Sequence, residues 1–278
     1  MPEPSFAVKW DRDNERFYET GTDRGVLYVK NQTGTAYNSG VAWNGLTAVT
    51  ENPSGAEETA LYADNKKYLS LRSKEEFGAT VEAYTYPDEW AVCDGSAELA
   101  PGVYVGQQTR RGFGMTYRTR IGNDTQFDDF GYKVHIIYNG MASPSQKSYA
   151  TINDSPEAIT FSWELTTIPV DMPVVDGTQL KPSATITIDS TKFAGETDHA
   201  KLQAIESILY GTDATYEKVT SPTGNPKTLG YFVKDTSGSY VATTDATVTE
   251  GVDYYSIATP ATSPRLPSPS EILEILSA

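Results

Sequence analysis

This sequence predicts a mainly β, mostly antiparallel fold, and three observations carry that expectation. Short apolar/polar alternations recur along the chain and are broken by Gly, Asn, Asp and Pro. Helix signals are confined to a few short stretches. The 38% apolar content suffices for a core, while 22 Gly and 16 Pro in 278 residues supply many turns.

Taken in order, Val81, Ala83 and Thr85 alternate with Glu82, Tyr84 and Tyr86, which puts the two sets on opposite faces of one strand. Residues 133–138 are apolar enough for a strand buried on both faces. In 159–166, Ile159, Phe161, Trp163 and Leu165 form a dry face and Thr160, Ser162, Glu164 and Thr166 a wet one; Ala184, Ile186 and Ile188 alternate with Thr185, Thr187 and Asp189 in the same manner. Thr197-Asp198-His199 predicts an N-cap, Leu202, Ile205, Ile208 and Leu209 recur at helical spacing, and Gly211 suits the C′ position, giving one amphipathic helix of about three turns. From 214 to 263 the composition shifts to Thr-rich, turn-rich sequence around short β-like runs. This stretch reads as a small β insertion in a core domain of 1–213 plus 264–278. Ser268-Pro269-Ser270-Glu271 is a capping box with Pro at N1 and starts a short final helix; Ser73-Lys74-Glu75-Glu76 matches the same pattern, with Gly78 leaving room for little more than one turn.

The net charge of −15 excludes a duplex-DNA binder that works through clustered phosphate contacts, and it opposes self-association, so any oligomer requires extensive interfaces. The single Cys93 excludes an internal disulfide and points to a reducing compartment. Met1-Pro2-Glu3-Pro4 lacks the basic-then-apolar pattern of a secretory signal, and no apolar run approaches the roughly 20 residues of a membrane-spanning helix, so a soluble protein without a membrane partner is expected.

The catalytic patterns fail on residue type or spacing. Gly112-Phe113-Gly114-Met115 opens like a phosphate loop, but no Lys-Ser/Thr pair follows, and a turn between strands is expected. His135 reads as a core or interface histidine, His199 as solvent-facing in a first helical turn, and Cys93 as a core or turn residue. The acidic pairs Glu57-Glu58, Glu75-Glu76 and Asp128-Asp129 read as solvated surface rather than the carboxylates of a glycoside hydrolase. No catalytic residue, metal site or cofactor is nominated, and the expectation is that the protein is not an enzyme.

Several segments together resemble a known family. They are Gly25-Val26-Leu27-Tyr28, Gly40-Val41-Ala42-Trp43-Asn44-Gly45-Leu46 and Gly55-Ala56-Glu57-Glu58-Thr59-Ala60-Leu61-Tyr62-Ala63-Asp64-Asn65, followed by residues 76–87, 117–124 and 151–164. The helix 202–211 and Pro264-Arg265-Leu266-Pro267 extend the match. In this order they resemble the major tail tube proteins of long non-contractile-tailed phages (siphophages) infecting Gram-positive bacteria. The resemblance implies a β-sandwich protomer forming hexameric rings, with inner sheets joined into a barrel and rings stacked into a tube. DNA passes through the lumen during ejection without specific binding, after the tape-measure protein has occupied it. It also implies tail-tip initiator and terminator proteins as partners, a virion location following the host cytoplasm, and no catalytic residues. The 214–263 insertion departs from the family pattern, which makes it an outward-facing decoration.

Individual residues take expectations from this. Glu82 and Glu164, on the wet faces of their strands, either line the lumen or face outward. Residues 51–65, with Glu51, Glu57, Glu58 and Asp64, read as a long loop that is either solvated or a ring-stacking contact. Arg110, Arg111, Arg118 and Arg120 form the one basic cluster, suited to pairing with acids across a subunit interface more than to nucleic acid. Two rival readings are a carbohydrate-binding or adhesion β module that forms no filaments, and a β-sandwich hydrolase with carboxylates converging in a cleft.

Overall fold

Long β-branched and aromatic stretches separated by turn residues build eight antiparallel strands into one sheet. A computed structural model describes residues 10, 12–149, 151–152 and 158–278; the N-terminal Met1-Pro2-Glu3-Pro4 and residues 153–157 of the 151–164 segment lie outside the described residues. The strands are β1 (Phe17–Val29), β2 (Val41–Trp43), β3 (Leu46–Glu51), β4 (Gly78–Ala83), β5 (Phe113–Asn123), β6 (Phe127–Ala142), β7 (Phe161–Thr167) and β8 (Thr185–Asp189). Their order is β2-β1-β5-β6-β7-β4-β3, with β8 beside β6. With 44% strand and 12% helix, the fold is mainly β.

The sheet doubles over at one place. β6 pairs with β5 along most of its length, but its other edge is divided: Lys133–Ile137 meets β8 and only Gly140–Ala142 meets β7. Beyond that short hinge, β7, β4 and β3 fold back over β1, β2 and β5. Leu27, Val29, Phe113 and Met115 of one layer thereby enclose a core with Ala79, Val81, Trp163 and Leu165 of the other. Trp43, Trp90 and Trp163 fill its centre, with ring centroids 4.7 to 5.7 Å apart and tilted or edge-on, the geometry that aromatic quadrupoles favour. Trp43 Nε1 donates to the carbonyl of Thr85 at 3.0 Å. Trp90 arrives on a 3-10 turn (Asp88–Val92), so the alternation at 84–86 belongs to the chain leaving β4 rather than to the strand.

The opposite face of the first layer is covered by helices. Val26, Tyr28, Val134, Ile136, Tyr138 and Ile188 pack against Leu202, Ile205 and Leu209 of α1 (Glu196–Tyr210), and against Leu266 and Ile272, the latter on α2 (Pro269–Ser277). Of residues 133–138, Val134, Ile136 and Tyr138 are buried under the helices, while on the other face Ile137 is buried and Lys133 and His135 only half-buried, so the expected burial on both faces holds for part of the stretch. Two tyrosine hydroxyls fasten this layer: Tyr28 donates to the carbonyl of Leu209 at 2.6 Å and Tyr138 to that of Pro267 at 3.0 Å.

The helix ends divide. Ser268 caps α2 by accepting from the Glu271 N–H at 3.2 Å, as the capping box predicts, and Glu271 itself turns to Arg265. α1 starts earlier than Thr197-Asp198-His199 predicts: Gly195, at φ +115°, is the N-cap without a side-chain bond, and Glu196 and Asp198 sit in the first turn, where the helix dipole favours acids. Gly211 ends the helix as expected, at φ +73°. The third capping-box match is overturned, because Glu75 and Glu76 pair with Gly55 and Ser54 as strand; tertiary pairing overrides the local signal. Gly112-Phe113-Gly114-Met115 is neither a phosphate loop nor a turn. It enters β5, where a Cβ on Gly114 would stand 2.3 Å from Leu266 Cδ2, so the glycine lets Leu266 rest on the backbone.

The insertion folds as its own four-stranded sheet of β9 (Thr215–Lys218), β10 (Phe232–Lys234), β11 (Tyr240–Ala242) and β12 (Tyr255–Thr259), in the order β9-β12-β10-β11. Its outer strands curl together, since Tyr216 of β9 stacks on Tyr240 of β11 at 4.1 Å. A bridge between Thr212 and Thr262 closes its base.

Candidate functional site

Glu82 and Glu164 come together on one surface. In the β4/β7 register Glu82 faces Ser162 and Glu164 faces Thr80, so the two carboxylates are diagonal neighbours on the side of the second layer turned away from Trp163 and Val81. Thr50, Thr80, Ser162 and Thr166 complete this polar wall, which carries no Lys or Arg. Acids without cations repel a polyanion moving past them and give it nothing to bind.

The expected long loop at 51–65 is instead the first half of a two-stranded arm, which is a correction. Ser54–Gly55 pairs with Glu75–Glu76 at its stem, and Glu58–Ala63 pairs with Lys66–Arg72 above it. The chain reverses at Asp64 and Asn65, both at positive φ (51° and 61°), the turn that matches the twist of a hairpin. Cross-strand pairs Thr59/Leu71 and Leu61/Leu69 give the arm one apolar face, while Glu58, ion-paired with Lys67 and opposite Arg72, marks the other. Nearly every residue is exposed, including Leu61, Leu69 and Leu71, with Tyr62 at 73% and Tyr68 at 71%. Glu57, Glu58 and Asp64 travel with the arm. Glu51 does not: it ends β3 and accepts from the Tyr117 hydroxyl at 2.9 Å, joining the two layers.

The four arginines are two separate groups, a second correction. Arg118 forks onto Asp23 of the adjacent strand with two bonds of 2.7 Å, and Arg120 meets the same carboxylate at 3.3 Å. Arg118 therefore takes its acid from its own chain, and the pair of guanidinium groups holds the Asp23 carboxyl below its ordinary range. Arg110 lies elsewhere, donating to the carbonyl of Ala142 at 3.0 Å and facing Asp94 at 3.8 Å; Arg111 sits near the buried Cys93. Arg120 and His199 line an open concavity of about 380 Å³ together with Asp128 and Asp129, so one of the acidic pairs is surface as expected.

Sequence reading missed a polar cluster around His135. Its ring stacks on Tyr117 at 4.6 Å, and Nε2 shares a hydrogen bond with Thr119 at 3.0 Å. Glu19 lies 3.6 Å from one ring nitrogen and Glu51 3.9 Å from the other, while Lys133 reaches Glu19. The two carboxylates approach opposite ring nitrogens and so do not converge on one point. Among the described residues, no three His, Cys, Asp or Glu side chains are grouped to hold a metal ion. Burial pulls the His135 pKa below its ordinary value, outweighing the attraction of Glu51 and Glu19. The unfolded chain thus takes up this proton first as pH falls below about 6.5, and stability present above that pH declines by no more than about 1.4 kcal/mol per unit. His135→Gln should flatten the decline of the urea midpoint between pH 7 and 5.5, and an unchanged slope would contradict this assignment.

No protein-family model matches the chain, and no curated protein matches it. A chain in the cryo-EM structure of the anti-feeding prophage baseplate, 6-fold symmetrised, is similar at 7% identity and a TM-score of 0.28, over 66% of this chain and 97% of that one. A likeness at that score decides neither fold nor role.

Proposed function

We propose that this chain is a structural virion protein, not an enzyme, that polymerises as stacked rings into a phage tail tube. The observation that carries the reading is the arm. A two-stranded hairpin is marginal in water on its own, and this one holds Leu61, Leu69, Leu71, Tyr62 and Tyr68 in solvent, a surface that calls for a partner. In a ring stack the neighbouring ring supplies it. The wall bearing Glu82 and Glu164 then lines the lumen and lets DNA slide past after the tape-measure protein leaves. Six protomers per ring, and tail-tip initiator and terminator proteins at the tube ends, follow from the family resemblance, as does assembly in the host cytoplasm.

Negative-stain electron microscopy across a concentration and salt series tests this reading. Rings or hollow tubes are expected, promoted by salt because it screens the acidic charge. Dispersed particles at every concentration and salt would instead favour the carbohydrate-binding or adhesion module.

A further inference from the structure

His135 stands between two carboxylates at the place where the arm joins the body. Glu51 is the last residue of β3; the Asn52 N–H then donates to the carbonyl of Gly78, and the stem of the arm begins at Ser54. The Glu51 carboxylate is tied to the first layer by the Tyr117 hydroxyl, which donates to Oε1 at 2.9 Å, and the same oxygen lies 3.9 Å from His135 Nδ1. Every strand packed against the ring presents a polar group to it: Glu19 of β1, Glu51 of β3, Tyr117 and Thr119 of β5, Lys133 of its own strand β6, and Thr187 of β8. Asp189 of β8 is the register partner of Lys133.

The hydrogen bonds assign the proton of the neutral ring. The Thr119 hydroxyl donates to Glu19 Oε1 at 2.5 Å, so its oxygen is left to accept, and the donor within reach at 3.0 Å is His135 Nε2. Nδ1 is then the bare nitrogen. The Thr187 hydroxyl reaches it at 3.4 Å, and the Glu51 carboxylate lies beyond hydrogen-bond distance. A proton arriving at Nδ1 reverses the sign of that last contact, because an electron-rich nitrogen beside a carboxylate becomes part of a cation beside it. Of the two acids, Glu51 is the one able to respond. Its side chain is half exposed and touches Tyr117, whereas Glu19 is already held by both Thr119 and Lys133.

We infer that His135 is a pH-responsive joint at the root of the arm: taking up a proton at Nδ1 draws Glu51 onto the ring and fastens the end of β3, with the arm it carries, to the first layer. The inference goes beyond the assembly proposed above and concerns the single chain, so it stands whether or not the protein forms tubes. Burial makes the charged ring costly, so the fold as a whole loses stability while this one contact tightens, and the joint closes only as pH falls below about 6.5. Lys133 opposes charge on the ring, and the Glu19 carboxylate bound to its ammonium at 2.5 Å offsets that opposition.

Amide hydrogen exchange read by mass spectrometry tests it, on protein kept dilute enough to stay dispersed. Exchange of residues 52–57 and 73–78 is compared at about pH 7.5 and about pH 5 after correction for the intrinsic rate, with the exposed hairpin of Ala97–Ala100 and Val103–Val105 as internal reference. The stem is expected to exchange several-fold more slowly at the lower pH in the wild type, and His135→Gln and Glu51→Gln are expected to lose that slowing. Stem exchange that is unchanged or faster on acidification overturns the inference, as does the same slowing in either variant. A second readout needs no variant and decides the matter should the substitutions prevent folding. The chain has two histidines, and nitrogen-15 spectra of their rings are expected to show His135 protonated at Nε2 at about pH 7.5. A ring protonated at Nδ1 there would leave no bare nitrogen facing Glu51 and overturn the joint.

Discussion

Replacing residues 54–76 by a two-residue turn is expected to give a folded monomer that forms no tubes at any salt concentration. The side chains removed are almost all exposed, and the Asn52 N–H donating to the carbonyl of Gly78 at 2.8 Å still closes β3 against β4. Losing exposed side chains changes stability by only a few tenths of a kcal/mol each. Shortening the connection from roughly two dozen residues to two lowers the closure entropy by about 2 kcal/mol in the folded state's favour. The melting temperature should therefore hold or rise, while the assembly contact disappears. Calorimetry and electron microscopy of the same preparation check the two halves separately. Tubes from the armless protein would remove the arm from assembly, and an unfolded product would show that the arm supports the sandwich.

Trp163→Ala is expected to be the most damaging single substitution, at about 3–5 kcal/mol. The side chain is fully buried, touches Trp43, Trp90, Tyr86 and Phe161 by ring contact, and sits where β7 faces the first layer. A loss of that size is a large share of the roughly 5–15 kcal/mol by which domains are stable. Trp163→Phe should cost much less. The Trp163 Nε1 has no hydrogen-bond partner among the described residues, so phenylalanine keeps most of the aromatic packing and sheds an orphan donor. Urea denaturation of both variants decides the matter. Equal losses would mean that the indole nitrogen is satisfied in solution and that ring packing is not the main contribution.

What the sequence made legible was local. Strict alternation at 79–83 and 161–165 placed Val81, Ala83, Trp163 and Leu165 inside and Glu82 and Glu164 outside, because a period of two determines which side chains share a face. The Leu202, Ile205 and Leu209 stripe and the Ser268 cap were readable for the same reason, each being specified within a few residues. The arm was misread because its apolar residues face solvent, so the usual inference from alternation to burial had no core to point at. The Asp64-Asn65 turn was the available signal. The functional groupings were beyond reach. Tyr117 finds Glu51 across 66 residues, and Arg118 finds Asp23 across 95. Those pairs depend on which strands are neighbours, and strand order is not written in any one segment. That is also why four arginines close in sequence separate into two environments.

The bridge between Thr212 and Thr262 has a consequence for what this position of the chain tolerates. Their backbone bonds of 2.9 and 3.1 Å, joined by a 2.9 Å contact of the two hydroxyls, hold both ends of the intervening segment one strand spacing apart. The sandwich is therefore expected to sense chiefly the separation of those ends. Exchanging the segment for one of half or twice its length changes closure by about 0.6 kcal/mol, less than one buried methylene. Position 212–262 is then expected to act as a socket, at which domains of different size and surface are exchanged while the body that carries them keeps its fold; an unchanged melting temperature of the body after such an exchange checks it.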